Sequence, residues 1–283
     1  MTLKPPTTAP SSRHFNRLLD AAAAIATDPE TAEQDKAFLT RQLVQVTLPH
    51  SSPGNIPIWK RTNGNLTLSI RPGWNHECDQ PLGLPFGSIP RLLLFWITTE
   101  ALRNNSRKLH LGDTLAGFVR DVGLNPETGG GKRSDSVRIR NQMERLFRAT
   151  ISLDISHDNQ TASGKSWLDM QIAPKGELWW DFKSPEQGTL FGSWIELGEQ
   201  FYNAIITAPV PLDKRALNAL KRSPLALDLY AWATYKSFVL SQGKKKYQFI
   251  PWCSFMLQMG ADYSDIKNFK RKAKVDLRRL NAV

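Results

Sequence analysis

The chain has 283 residues, 41% of them hydrophobic with 13 Phe and 9 Trp, enough for two ordinary domains or one large domain with a tail. No run approaches the roughly 20 uncharged apolar residues of a membrane-spanning helix, and two cysteines, Cys78 and Cys253, cannot staple a fold of this size; a helical membrane span and a disulfide framework are therefore excluded. The net charge of +11 points to an anionic partner.

Met1 to Ser12 is rich in Pro, Thr and Ser and lacks the apolar run of a signal peptide, which predicts a disordered lead-in of a cytoplasmic protein. Residues 13–27 and 30–43 read as helices and Val44–Leu48 as a strand. The turn signals Pro53-Gly54 and Asn63-Gly64 bracket a hairpin of Ile56–Lys60 and Asn65–Ile70, in which Leu66, Leu68 and Ile70 alternate with polar residues. Arg71–Pro85 is a loop. Ile89–Arg103 is a strongly apolar helix with Pro90 in its first turn, and Leu109–Leu111 is a short extended piece. Asp113 is placed to cap a helix that Gly123 closes. Ser134 or Asp135 caps the next, to about Arg148. Thr150–Ser156 and Ser166–Ile172 then form a hairpin, and Glu177–Phe182 a further strand.

A similar order begins again. Leu190–Glu196 reads as a strand, Gly198–Ile206 as a helix, and Pro209 and Pro211 as a boundary. Asp213–Lys221 is a short helix. Ser223 caps a longer one with Pro224 at its first position. Tyr247–Ile250 reads as a strand, Pro251 starts a helix ending near Gly260, and Ser264 caps a last helix to about Leu280. The fold expected is α+β, with two tandem winged-helix (helix-turn-helix) domains. Residues 1–12 are a tail, 13–188 the first domain with additional helices and a hairpin, and 189–283 the second. No hairpin follows the last helix, so the second wing is absent or truncated.

Charge is not spread evenly. Residues 213–283 hold 15 Lys and Arg against 5 Asp and Glu, a net of +10, whereas residues 161–212 are net acidic. Concentration of this kind suits a surface that meets phosphates. In the last helix Ile266, Phe269, Ala273, Leu277 and Leu280 make one apolar stripe. Lys267, Arg271, Lys274 and Arg278 make a second, about 130° away at 100° per residue. Lys270 lies between the stripes, and Arg279 on another side. A helix with one buried face and one cationic face fits the major groove, where Arg and Lys bond guanine edges and phosphates. A solvated lysine-rich surface helix is the bland alternative; the single sign of the stripe and its position after a capped helix favour DNA contact. In the helix after Ser134, Arg138, Asn141, Gln142 and Arg145 lie opposite Ile139, Met143, Leu146 and Phe147, with Lys132 and Arg133 just before. Base reading, phosphate contact and a subunit interface all suit that face.

No catalytic signature is present. Gly131-Lys132 lacks the first glycine and the hydroxyl residue of a phosphate loop, since Pro126 and Arg133 stand there. His76 and Cys78 have no second ligand pair for zinc. The five His are scattered, without the His-x-His and nucleophilic Tyr of a rolling-circle enzyme. Asp154, Asp158 and Asp169 fall on or beside the hairpin at 150–172, where acids are solvated. Trp179-Trp180 can stack single-stranded bases, although core packing is the commoner use. The expectation is a non-enzymatic DNA-binding protein that needs no cofactor or metal.

Several blocks in order carry a resemblance: Leu84-Pro85-Phe86-Gly87-Ser88-Ile89-Pro90-Arg91-Leu92-Leu93-Leu94, Thr98-Thr99-Glu100-Ala101, Leu109-His110-Leu111-Gly112-Asp113, Gly123-Leu124, Thr128-Gly129-Gly130 and Gln142-Met143-Glu144-Arg145-Leu146-Phe147. Over about residues 80–155 the chain resembles plasmid-encoded replication initiators of the RepA/TrfA type, and more weakly to its end. The resemblance implies two winged-helix domains binding repeated sites (iterons) in double-stranded origin DNA, with an AT-rich region opened nearby. It also implies recruitment of the host initiator and replicative helicase, and a homodimer in equilibrium with monomer. Under it, the Lys267–Arg279 helix is the main reader and the Arg138–Arg145 helix the second. A winged-helix transcriptional repressor and a structural or partition protein that binds any DNA are the competing expectations. Direct repeats, an inverted repeat over a promoter, or no target preference distinguish the three.

Overall fold

A computed structural model describes residues 35–127, 134–159, 162–180, 184–243, 247–259 and 263–281, together with Ala23 and Ile25. It is a mixed α+β fold. The helix expected at 13–27 lies outside the described residues apart from Ala23 and Ile25.

The helix expected at 30–43 is not formed as such. Lys36–Thr40 is a strand, β1, and only Arg41–Gln45 is helical, α1, capped by the Thr40 hydroxyl, which accepts the Leu43 N–H. Val44 and Gln45 thus end a helix where a strand was expected. The partner of β1 decides the matter: it pairs antiparallel with β11, Pro209–Asp213. The two prolines there mark no boundary. Bonds from Arg41 N–H to Ala208 O and from Lys214 N–H to Asp35 O flank the ladder. This phase puts the pairs Thr40–Pro209 and Phe38–Pro211 at positions without ladder bonds. Neither proline therefore removes one. The free N–H of Phe38 donates instead to Thr99 Oγ1 at 3.0 Å.

The first hairpin is β2, Trp59–Asn63, and β3, Leu66–Arg71. Residues 71–85 form a loop with a two-residue ladder, β4 (Trp74–Asn75) and β5 (Gln80–Pro81). The hairpin at 150–171, β7 (Thr150–Asn159) and β8 (Ala162–Gln171), is not separate from the first: β7 pairs with β3, giving a four-stranded antiparallel sheet β2-β3-β7-β8. Alternation buries Leu66, Leu68, Ile70, Ile151 and Leu153 on one face.

Helix α2, Ser88–Asn104, runs through the core. Ile89, Leu92 to Phe95, Ile97 and Ala101 are buried on nearly every side, as an unbroken apolar run requires. It begins after Gly87 at φ 83° and ends on Asn105 in the left-handed region. Strand β6, Lys108–Gly112, leads to α3, Leu115–Asp121, whose cap is Thr114 rather than Asp113: its hydroxyl accepts the Gly117 N–H. Gly123 follows at φ +88°. Ser134 caps α4, Asp135–Arg148.

Strand β9 is Lys175–Glu177, earlier than the segment expected from Glu177 onward, and β10 is Ser193–Glu196. They form a sheet β6-β10-β9. Then come α5 (Glu199–Thr207), β11, α6 (Lys214–Leu220) capped by Asp213, and α7 (Pro224–Gln242) capped by Ser223. No strand forms over the described residues 247–250, where one was expected. Helices α8 (Trp252–Gln258) and α9 (Ile266–Leu280) complete the order.

Two ladders, β1–β11 and β6–β10, join residues on either side of position 188. One large apolar core extends from Ala37 to Ala231, and a smaller one holds Leu225, Leu229, Phe255, Met259, Phe269 and Ala273. A buried polar cluster also spans the chain. Arg91 of α2 donates from Nε and Nη2 to the two Asp228 oxygens of α7, and further to the carbonyls of Leu48, Pro49 and Gly87. His50 Nε2 lies 2.7 Å from Asp228 Oδ2. With all five guanidinium hydrogens used, the buried charge is tolerated.

Candidate nucleic-acid interface

Helix α9 starts one residue later than expected. Asp265, not Ser264, is the cap: its Oδ1 accepts the Asn268 N–H at 2.7 Å and its Oδ2 accepts from Asn268 Nδ2 at 2.8 Å. The inner face is held by aromatic packing. The Phe269 ring lies 5.9 Å from that of Phe255, 6.2 Å from Trp252 and 5.6 Å from Tyr263, at angles of 56–73°. Such edge-on pairs add to the area they bury. Ala273 is also buried, while Ile266, counted in the apolar stripe, is exposed.

The residue that the apolar stripe does not reveal is Asp276. It is 1% exposed, accepts from the Ser223 hydroxyl at the start of α7 at 3.0 Å, and from Arg279 Nη1 at 2.8 Å. It therefore fixes α9 against α7 and draws Arg279 inward. Lys267, Arg271, Lys274 and Arg278 are exposed, and none forms an ion pair among the described residues. They span about 16 Å of helix axis at 1.5 Å per residue. Lys270 stands 5.5 Å over the Trp252 ring, a position from which it still faces outward. The one acid on α9 thus points to the core, and its outer face carries one sign of charge.

Helix α4 divides the residues expected on its outer side. Arg138 and Asn141 are exposed; Arg138 pairs with Asp135 at 2.9 Å. Gln142 is buried, and its Oε1 accepts the Phe86 N–H at 2.9 Å. Arg145 donates to Leu84 O at 3.2 Å and lies 5.5 Å over the Phe86 ring; burial pushes its guanidinium below the ordinary arginine value, against the pull of Glu144. Gln142 and Arg145 accordingly hold the 82–87 loop against α4. Arg140, not singled out from the sequence, is exposed and pairs with Glu144. Lys132 and Arg133 lie outside the described residues.

The two tryptophans separate. Trp180 is buried, donates to Gly112 O and packs on Phe118, whereas Trp179 is half exposed against Phe191. Asp154 and Asp169 are exposed on one face of the β7–β8 hairpin. Among the described residues no cluster of three or more His, Cys, Asp or Glu can hold a metal, and no helix is long and apolar enough to cross a membrane.

A family model described as "Plasmid encoded RepA protein" matches residues 84–254. Two crystal structures of domains 2 and 3 of RctB are similar, with TM-scores of 0.47 and 0.45 and identities of 11% and 12%; each covers 84% of this chain and 82% of the other. No curated protein matches the sequence. The family match ends in α8, so the chemistry of α9 stands on its own residues.

Proposed function

Since the chain belongs to the plasmid-encoded RepA family of replication initiators, we propose that it binds repeated sites (iterons) in double-stranded origin DNA, with α9 as principal reader. Lys267, Lys270, Arg271, Lys274 and Arg278 would enter the major groove. Arg138 and Asn141 of α4 would supply the second set of contacts.

The observation that carries this reading is the one-signed outer face of α9 backed by a fixed inner face. Phe269, Ala273 and Asp276 determine which way the helix faces, so its cations are presented in one register. Base readout requires such fixed geometry, whereas coating of any DNA requires only charge. In this reading the first winged helix is α2, β6, α3, α4 and the β7–β8 wing, and the second is built on α7, α8 and α9. The protein acts without catalysis of its own, in the cytoplasm of the plasmid-bearing cell. It exchanges between homodimer and monomer, promotes opening of an AT-rich segment, and recruits the host initiator and replicative helicase.

A binding titration tests it, using the cognate origin fragment and a scrambled fragment of equal length at two salt concentrations. Specific binding is expected to exceed non-specific by about 10³ or more, with both weakening as salt rises. Equal affinity for the two fragments would refute sequence-specific initiation.

A further inference from the structure

The start of α2 opens into a cavity of about 240 Å³ between the 86–89 turn and α4. The helix is 17 residues long and has no side-chain cap, because the residue before it is Gly87. Pro90 has no N–H to offer. The N–H groups of Ser88 and Ile89 have no hydrogen-bond partner among the described residues. They carry the positive end of the helix dipole.

A second feature, on a different helix, faces the same space. Gln142 lines the cavity although only 6% of it is exposed. Its Oε1 is occupied by the Phe86 N–H, which fixes the amide orientation. The Nε2 hydrogens have no partner among the described residues. Nε2 itself is not sealed from solvent, so its unused hydrogens are available to an acceptor that enters the cavity. Asn141 and Arg138 stand at the rim, and Arg138 uses only Nη1 on Asp135. No residue lining the cavity is acidic, and Phe86 and Val137 supply apolar wall.

We propose that this cavity is a phosphate site. Ser88 and Ile89 N–H, the Ser88 hydroxyl, Gln142 Nε2 and the free part of the Arg138 fork are donors suited to an oxoanion, and the apolar wall to the carbon side of an ester. The phosphate is either a backbone phosphodiester of DNA or a free phosphate; the proposal rests on the DNA-binding reading only for the first source. If the source is DNA, the site sets the register of α4 on the duplex without reading a base.

The test follows the backbone amides of Ser88 and Ile89 and the side-chain amide of Gln142 by NMR on the full chain. One arm adds inorganic phosphate against chloride at equal ionic strength, and the other adds origin duplex in phosphate-free buffer. Saturable shifts at these groups are expected in at least one arm. A response to duplex alone identifies a backbone phosphodiester, and a response to inorganic phosphate alone a free phosphate. Two variants keep the local structure. Ser88→Asp places a carboxylate that stabilises the helix start and repels phosphate. Gln142→Glu keeps the acceptor for Phe86 and replaces the free amide. Both are expected to abolish the response at unchanged folding, and Ser88→Asp to lower the salt slope of duplex binding by about 1. Absence of response in both arms, or a response unchanged in both variants, overturns the site. Failure of the duplex to bind at all would refute the initiator reading while the phosphate arm still decides this one.

Discussion

Arg91 and Asp228, 137 residues apart in sequence, meet through two bonds of 2.7 Å each, from Nε to Oδ1 and from Nη2 to Oδ2. The fork is buried and joins α2 to α7. Asp228→Ala would leave the Arg91 charge buried without its counter-ion, at a cost of about 3–5 kcal/mol. Urea denaturation should show it, and the double variant Arg91→Met with Asp228→Leu should recover part of the loss. A single-variant loss below about 1 kcal/mol would show that the cluster is not a stability determinant.

The same cluster gives stability a pH dependence. Burial lowers the His50 pKa below the ordinary histidine value, more than its hydrogen bond to Asp228 raises it. The unfolded chain therefore binds a proton on His50 at a higher pH than the folded one. This contribution is complete above about pH 6.5 and is lost as pH falls below it. For Asp228, burial raises the pKa, but the Arg91 charge and the bonds from His50 and Arg91 bring it below the usual carboxylate value. Its contribution is lost at lower pH, below about 3.8. His50→Gln should remove the first decline and leave the second. A denaturation midpoint that falls equally in both proteins between pH 7 and 5.5 would show that His50 is not its source.

Of the helices proposed to meet DNA, α9 should matter more. Arg271→Ala or Lys274→Ala is expected to weaken origin binding by about 1–3 kcal/mol if base edges are read. Arg138→Ala should cost less, since this side chain already has a partner in Asp135. Equal affinity of wild type and both α9 variants would remove α9 as the reader.

Gly123 has φ +88°, and a Cβ there would run into the Asn218 side chain. Its carbonyl also accepts from Lys221 Nζ. Gly123→Ala should therefore destabilise by about 1–3 kcal/mol through backbone strain, with overlap adding to it. Thermal unfolding checks this, with Gly188→Ala, which meets nothing within 4 Å and has no positive φ, as the comparison.

Elements whose signals are local were legible in the sequence. Ser134, Ser223 and Asp213 cap the helices they were expected to bound, and alternation at 66–70 and 150–172 gave two hairpins. What was not legible came from distant partners. Residues 36–40 have no marked strand pattern, and they become one because 209–213 lie alongside. Helical periodicity put Gln142 and Arg145 on the outer side of α4, but the 82–87 loop folds over that side and engages both. The cationic stripe of α9 could be read from spacing alone. The role of Asp276 could not, because its partner Ser223 lies 53 residues earlier.

The β1–β11 ladder has a consequence during synthesis. Strand β1 leaves the ribosome long before residues 209–213 are translated, so its hydrogen-bonding edge waits through most of elongation for its partner. Pairing over such a separation is slow, because a long loop must close first. A nascent chain that stalls before residue 213 keeps that edge open to association with other chains. Completion of the ladder therefore couples folding of the amino-terminal segment to translation of the part of the chain that leads into α9.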